Sequence, residues 1–125
     1  MLNKNNYLGK HLLVEFWECN VPDDSAFWEK MLWNAAKAAN STPLKVAIQK
    51  FEPHGITGMI ILAESHISAH TWPEKKYIAI DIFTCGAHTN PQAAMEYLKK
   101  ELSPKRVESQ FINRGKEEWS SKKII

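Results

Sequence analysis

The stretch LAESHISAHTWPE (Leu62–Glu74) places two serines, two histidines and two carboxylates within thirteen residues. A serine hydroxyl next to a peptide carbonyl, as Ser65 is to Glu64, can act as a nucleophile once a nearby base takes its proton. His70 supplies an imidazole five residues on, and the run DIFTCG adds a thiol at Cys85. Taken singly, each residue has a plain structural reading. His66 and His70 fit a strand as hydrogen-bonded histidines, Ser65 fits a loop, and Cys85 fits a small buried apolar side chain. The four-residue spacing of His66 and His70 suits metal ligands on a helix, but this segment alternates like a strand. His11, His54 and His88 have no partner at ligand spacing, so no metal site is expected. The five glycines are scattered, and none forms a phosphate-binding loop.

The elements that must position these groups follow from periodicity. KHLLVEFWEC (Lys10–Cys19) alternates and is rich in β-formers, so it predicts a strand. A helix follows, capped by Asp23 or Asp24 with further acid in its first turn, and runs to Asn40. Phe27, Met31, Leu32, Ala35 and Ala39 share its apolar stripe, with Trp28 and Trp33 packing nearby. LKVAIQKF (Leu44–Phe51) predicts a second strand. ITGMIILAE and SHISAHTW form one long or broken extended segment ended by Pro73, and KYIAIDIFTC (Lys76–Cys85) is another strand. Asn90 caps a second helix with Pro91 at its first position, and KRVESQFIN (Lys105–Asn113) closes the fold. The order β-α-β-β-β-α-β predicts an α+β two-layer sandwich, an antiparallel sheet with both helices on one face.

Alternation also sorts the faces. Ile78, Ile80, Ile82 and Thr84 form the helix-packed side of their strand; Tyr77, Ala79, Asp81, Phe83 and Cys85 lie opposite. His66, Ser68, His70 and Trp72 share a face, as do His11, Glu15, Trp17 and Cys19. Three strands thus each carry one apolar face and one polar and aromatic face. A second protomer stacked on the mixed face would enclose a polar-lined cleft, so a homodimer is expected.

Length and composition are those of one globular domain: 125 residues, 44% hydrophobic and 24% charged. A net charge of +2, with basic and acidic residues interleaved, excludes a nucleic-acid surface of the usual kind. The longest apolar runs are too short to span a bilayer. MLNKNNYLGK lacks a signal-like apolar run, so cytoplasmic residence is expected. The two cysteines read as separate thiols rather than a disulfide framework. Residues 1–115 form the domain, and 116–125 are expected to be a charged, frayed tail.

In order and spacing, LGKHLLVEFWEC, FEPHGITGMIILAESHISAHTWPE, YIAIDIFTCG and KRVESQFINRG resemble the bacterial and archaeal S-adenosylmethionine decarboxylase proenzymes over roughly residues 8 to 115. The resemblance implies autocatalytic cleavage at Glu64–Ser65 into a β chain, 1–64, and an α chain, 65–125. Ser65 would become a pyruvoyl cofactor that forms a Schiff base with S-adenosylmethionine, whose decarboxylated product feeds spermidine synthesis. By the same resemblance, His70 is the proton acceptor in processing and Cys85 the proton donor in catalysis. Glu74 binds the ribose hydroxyls and Phe51 stacks on adenine. The chain departs from the family pattern in three places. Thr57 stands where a processing serine is usual, Gln49-Lys50 replaces His-Arg, and Lys75-Lys76 replaces Tyr-Gly beside the expected pocket. Relatives that decarboxylate arginine or ornithine therefore supply an alternative substrate reading. A non-catalytic, uncut regulatory paralogue is the third.

Overall fold

The computed structural model describes residues 7–116. In chain order these form β1 (Tyr7–Trp17), α1 (Ser25–Ala38), β2 (Pro43–Lys50), β3 (Ile56–Leu62), β4 (Ser65–Trp72), β5 (Tyr77–Cys85), α2 (Pro91–Leu102) and β6 (Arg106–Lys116). A 3₁₀ turn spans Pro73–Lys75. The strands make one antiparallel sheet in the order β2-β3-β4-β5-β1-β6, so the first strand is inserted between β5 and β6. Both helices cover the same face, giving the expected α+β sandwich. Its core interleaves Leu12, Val14 and Phe16 of β1 and Ile78, Ile80 and Ile82 of β5 with Trp28, Leu32 and Leu98 of the helices. Gly58 lets α1 approach β3: a Cβ there would stand 2.9 Å from Ile48 Cδ1 and 3.0 Å from Leu32 Cδ1.

Local signals explain most boundaries. Asp24 is the N-cap of α1 and accepts from the Ala26 amide at 3.3 Å. Asn90 accepts from Ala93 N–H at 3.2 Å, with Pro91 opening α2. Asp23, the other expected cap, turns away to Gly55 and Lys50.

Several sequence expectations need correction. The first turn of α1 carries no acid, and the helix ends at Ala38 because Asn40 adopts a left-handed conformation, φ 58°. Trp28 is fully buried, whereas Trp33 is 39% exposed on the outer side of α1. Cys19 does not share the polar face of β1. Glu18, at φ 54°, breaks the alternation and turns Cys19 into the core, where burial pushes its thiol pKa up. The long extended segment is two strands joined by a tight hairpin, so the sheet has six strands rather than five. The last strand runs through Lys116, one residue past the expected domain limit. The remainder of the expected tail, with Trp119, lies outside the described residues.

Candidate active site

The hairpin between β3 and β4 has only Ala63 and Glu64 in its loop, since Leu62 pairs with Ser65. Neither residue is a usual turn former. Glu64 sits in the left-handed region at φ 63°, which costs a residue with a Cβ about 1 kcal/mol or more. The Glu64–Ser65 peptide therefore lies in strained backbone at the rim of the sheet. The Cys85 thiol donates to the Glu64 carbonyl oxygen at 3.0 Å. β5 places it there because its last residue ends level with the hairpin. Gly86, at φ 91°, turns the chain away immediately afterwards. Glu64 and Cys85 share a recess of about 210 Å³ with Thr42 and His88.

His70 is elsewhere. It pairs across β3 with Thr57, and the Thr57 hydroxyl lies 3.1 Å from His70 Nδ1. Strands rise about 3.3 Å per residue, so five residues of β4 separate it from Ser65 by roughly 16 Å. Around it gather Phe51, His54, Trp72 and Glu74, lining a recess of about 260 Å³. Phe51 falls just after β2 and is 47% exposed, a poor position for a core residue. His54 Nδ1 is 3.3 Å from Glu74 Oε1, a contact that no sequence signal beyond the turn-like EPHG announced. Lys75 and Lys76 are exposed and do not line this recess.

The structure thus brings Glu64, Ser65 and Cys85 to one end of β4 and Phe51, Thr57, His70 and Glu74 to the other. Between them runs the outer face of the sheet, which neither α1 nor α2 covers. Arg114 donates to His11 Nδ1 at 2.7 Å, and His11 donates from Nε2 to Asp81; both bonds are satisfied by a single imidazole tautomer. His66 Nε2 is 3.8 Å from the other Asp81 oxygen, and the Phe83 ring meets both histidines. Nearer the His70 end, Trp17 stacks on Tyr77, which also packs on Trp72 and donates its hydroxyl to Glu15. Burial first, and then that bond, push the Tyr77 phenol up to about 12. Met59 and Ile61 lie exposed on the same face. Aromatic and aliphatic side chains thus lie partly exposed among ion pairs on this face. Among the described residues, no group of three or more His, Cys, Asp or Glu could hold a metal ion, and no helix is long and apolar enough to cross a membrane.

A family model for S-adenosylmethionine decarboxylase matches residues 10–115. The S-adenosylmethionine decarboxylase proenzyme of Methanococcus maripaludis is 47% identical over 110 residues, 86% of this chain and 90% of that protein. The proenzyme of Thermomicrobium roseum is 43% identical over 109 residues, covering 86% and 94%. The crystal structure of the adenosylmethionine decarboxylase from Aquifex aeolicus superposes with a TM-score of 0.77 at 37% identity, covering 87% of this chain and 92% of that one. The fold, the six-strand sheet and these matches place the chain in the S-adenosylmethionine decarboxylase family.

Proposed function

We propose that the protein is a proenzyme that cleaves itself at Glu64–Ser65 and then decarboxylates S-adenosylmethionine, a step that supplies aminopropyl groups for spermidine. The observation that carries this reading is the strained Glu64–Ser65 peptide with the Cys85 thiol on its carbonyl. The names of the relatives favour S-adenosylmethionine over arginine or ornithine, and Lys75 and Lys76 stand clear of the recess. An intact Ser65, His70 and Cys85 set argues against a non-catalytic paralogue.

Cleavage begins when Ser65 Oγ adds to the Glu64 carbonyl carbon; negative charge develops on the carbonyl oxygen, which accepts the Cys85 S–H hydrogen bond. The hydroxyl proton leaves to a base, the Glu64–Ser65 C–N bond breaks, and the protonated nitrogen departs, leaving an ester. Removal of the Ser65 Cα proton expels the Glu64 carboxylate. The resulting dehydroalanine tautomerises, and water hydrolyses it with release of ammonia, leaving a pyruvoyl group at residue 65. The residues fit that group: a serine at a chain-end-to-be, next to a thiol, on a rim open to solvent. Once formed, the pyruvoyl group supplies an electron sink for the charge left by loss of CO₂. Cys85 then delivers the proton that replaces the carboxylate, from a thiol already placed on the neighbouring Glu64 carbonyl. Glu74 accepts from the ribose hydroxyls. Phe51 presents its face to adenine, and aromatic faces also attract a sulfonium.

The base is His70, and it must come from a second copy. At roughly 16 Å it is out of reach of Ser65 in its own chain. A two-fold axis lying between two stacked sheets, perpendicular to the strands, sets the Ser65 end of one protomer against the His70 end of its partner. Each recess alone falls below the usual range of about 300–1,000 Å³ for ligand sites, whereas the two combined lie within it. The same stacking buries the uncovered sheet face. With Nδ1–H donated to the Thr57 hydroxyl, the partner's His70 keeps Nε2 free to take the proton. Intact mass of the purified protein, paired with CO₂ release from S-adenosylmethionine, tests the assignment. Two fragments dividing before residue 65 and release of CO₂ are expected; a persistently uncut chain would refute it.

A further inference from the structure

The roles above leave His54 unused, although it stands within the His70 end. Its Nδ1 lies 3.3 Å from Glu74 Oε1, and it is the partner found for that carboxylate among the described residues. The two residues come from separate segments, the turn between β2 and β3 and the 3₁₀ turn after β4. The first of these turns is firmly held. Asp23 Oδ1 accepts Gly55 N–H at 2.9 Å and Oδ2 accepts Lys50 Nζ at 3.0 Å, so Asp23 bridges both ends of the turn. Those bonds, the Gly55 amide first, hold the Asp23 carboxyl below the usual carboxylate range. Phe51 N–H donates to Gly55 O at 2.8 Å, and Ile56 N–H donates to the buried Thr71 hydroxyl at 2.8 Å. Gly55, at φ 112°, makes the reversal that side-chain-bearing residues rarely adopt. His54 is thus presented on a fixed loop. Glu74, 45% exposed, stands on a turn of three residues.

We propose that His54 is a positioning residue that aims the Glu74 carboxylate at the substrate's ribose hydroxyls and so sets affinity for the nucleoside half of the substrate. The inference rests on the reading of Glu74 as the ribose ligand. An imidazole N–H on Oε1 leaves Oε2 and the second lone pair of Oε1 for two hydroxyls, and fixes the plane in which they are met. The contact is partly solvated, so its loss is expected to raise KM about 5- to 10-fold without changing kcat.

The test uses self-cleaved enzyme carrying His54→Ala, His54→Gln, Glu74→Ala or His54→Ala with Glu74→Ala. Steady-state kinetics are combined with inhibition by adenosine and by 2′,3′-dideoxyadenosine. His54→Ala should raise KM and weaken adenosine but not the dideoxy compound. His54→Gln, which keeps a donor, should recover part of the loss, and His54→Ala should add nothing once Glu74 is gone. If Glu74→Ala raises KM while His54→Ala leaves it unchanged, or adds its full effect to that of Glu74→Ala, the positioning role is wrong and the ribose reading stands. If Glu74→Ala itself leaves KM unchanged, the ribose reading falls and the role of His54 falls with it. Equal extents of self-cleavage across the set show that folding is not the cause.

Discussion

The two ends of β4 are built on opposite plans. At the Ser65 end the backbone itself is the unusual element: a two-residue hairpin, a left-handed glutamate and a thiol on the Glu64 carbonyl. At the His70 end the backbone is regular or firmly tied, and the side chains carry the chemistry: a hydroxyl-paired imidazole, a carboxylate and an aromatic ring. In the proposed function, one end holds the bond to be broken, and the other holds groups that move protons and bind polar ligands. The length of β4 separates them by too great a distance for contact, and the proposed function therefore assigns their union to pairing of protomers.

The largest effects are expected at the Ser65 end. Ser65→Ala should abolish cleavage and decarboxylation together, giving one uncut chain by intact mass, because Ser65 supplies both the attacking hydroxyl and the atoms of the pyruvoyl group. Cys85→Ala should cost decarboxylation about 10²- to 10⁴-fold, the usual worth of a positioned acid, while cleavage slows by a smaller factor. Rates of CO₂ release from chains already cut separate the two effects. At the His70 end, Thr57→Ala removes the partner of the imidazole and should slow cleavage about tenfold. Decarboxylation by chains that have been cut should stay near the native rate, and an equal loss in both steps would contradict the division of labour.

The smallest effect is expected in stability alone. Tyr77 holds its proton to about pH 12 when folded, above the ordinary phenol value near 10. Its contribution is therefore fully present below about pH 10 and is lost as pH rises through the folded value. Tyr77→Phe should flatten the alkaline fall in the urea midpoint between about pH 10 and 12. An unchanged fall would show that Tyr77 does not govern it.

Much of this was legible in the sequence because strand alternation is a two-residue rule that burial enforces. It sorted the outer faces of β4 and β5 correctly, and the caps Asp24 and Asn90 marked the helix starts. It failed where one residue left the pattern. Glu18 and Glu64 both take left-handed backbone without being glycine or asparagine, so neither the inward turn of Cys19 nor the tight hairpin carried a turn signal. Trp28 and Trp33 differ in burial because α1 presents only one side to the sheet, and the phase of that side depends on the packed fold. The Arg114–His11–Asp81 chain joins residues far apart in sequence through insertion of β1 between β5 and β6. The family resemblance marked Ser65, His70 and Cys85 as partners, but the spacing along β4 sets His70 far from the other two within one protomer.

Mixed dimers test the shared site most directly. Ser65→Ala and His70→Ala chains are produced separately and together, and the masses of the His70→Ala chains are followed. If the base is the partner's His70, a mixed dimer contains one site with an intact serine and an intact histidine. The His70→Ala chain should then be cut at residue 65 in the mixture and remain whole when made alone. A His70→Ala chain that stays uncut in demonstrated mixed dimers, or that is cut as readily by itself, would contradict a site built from two protomers.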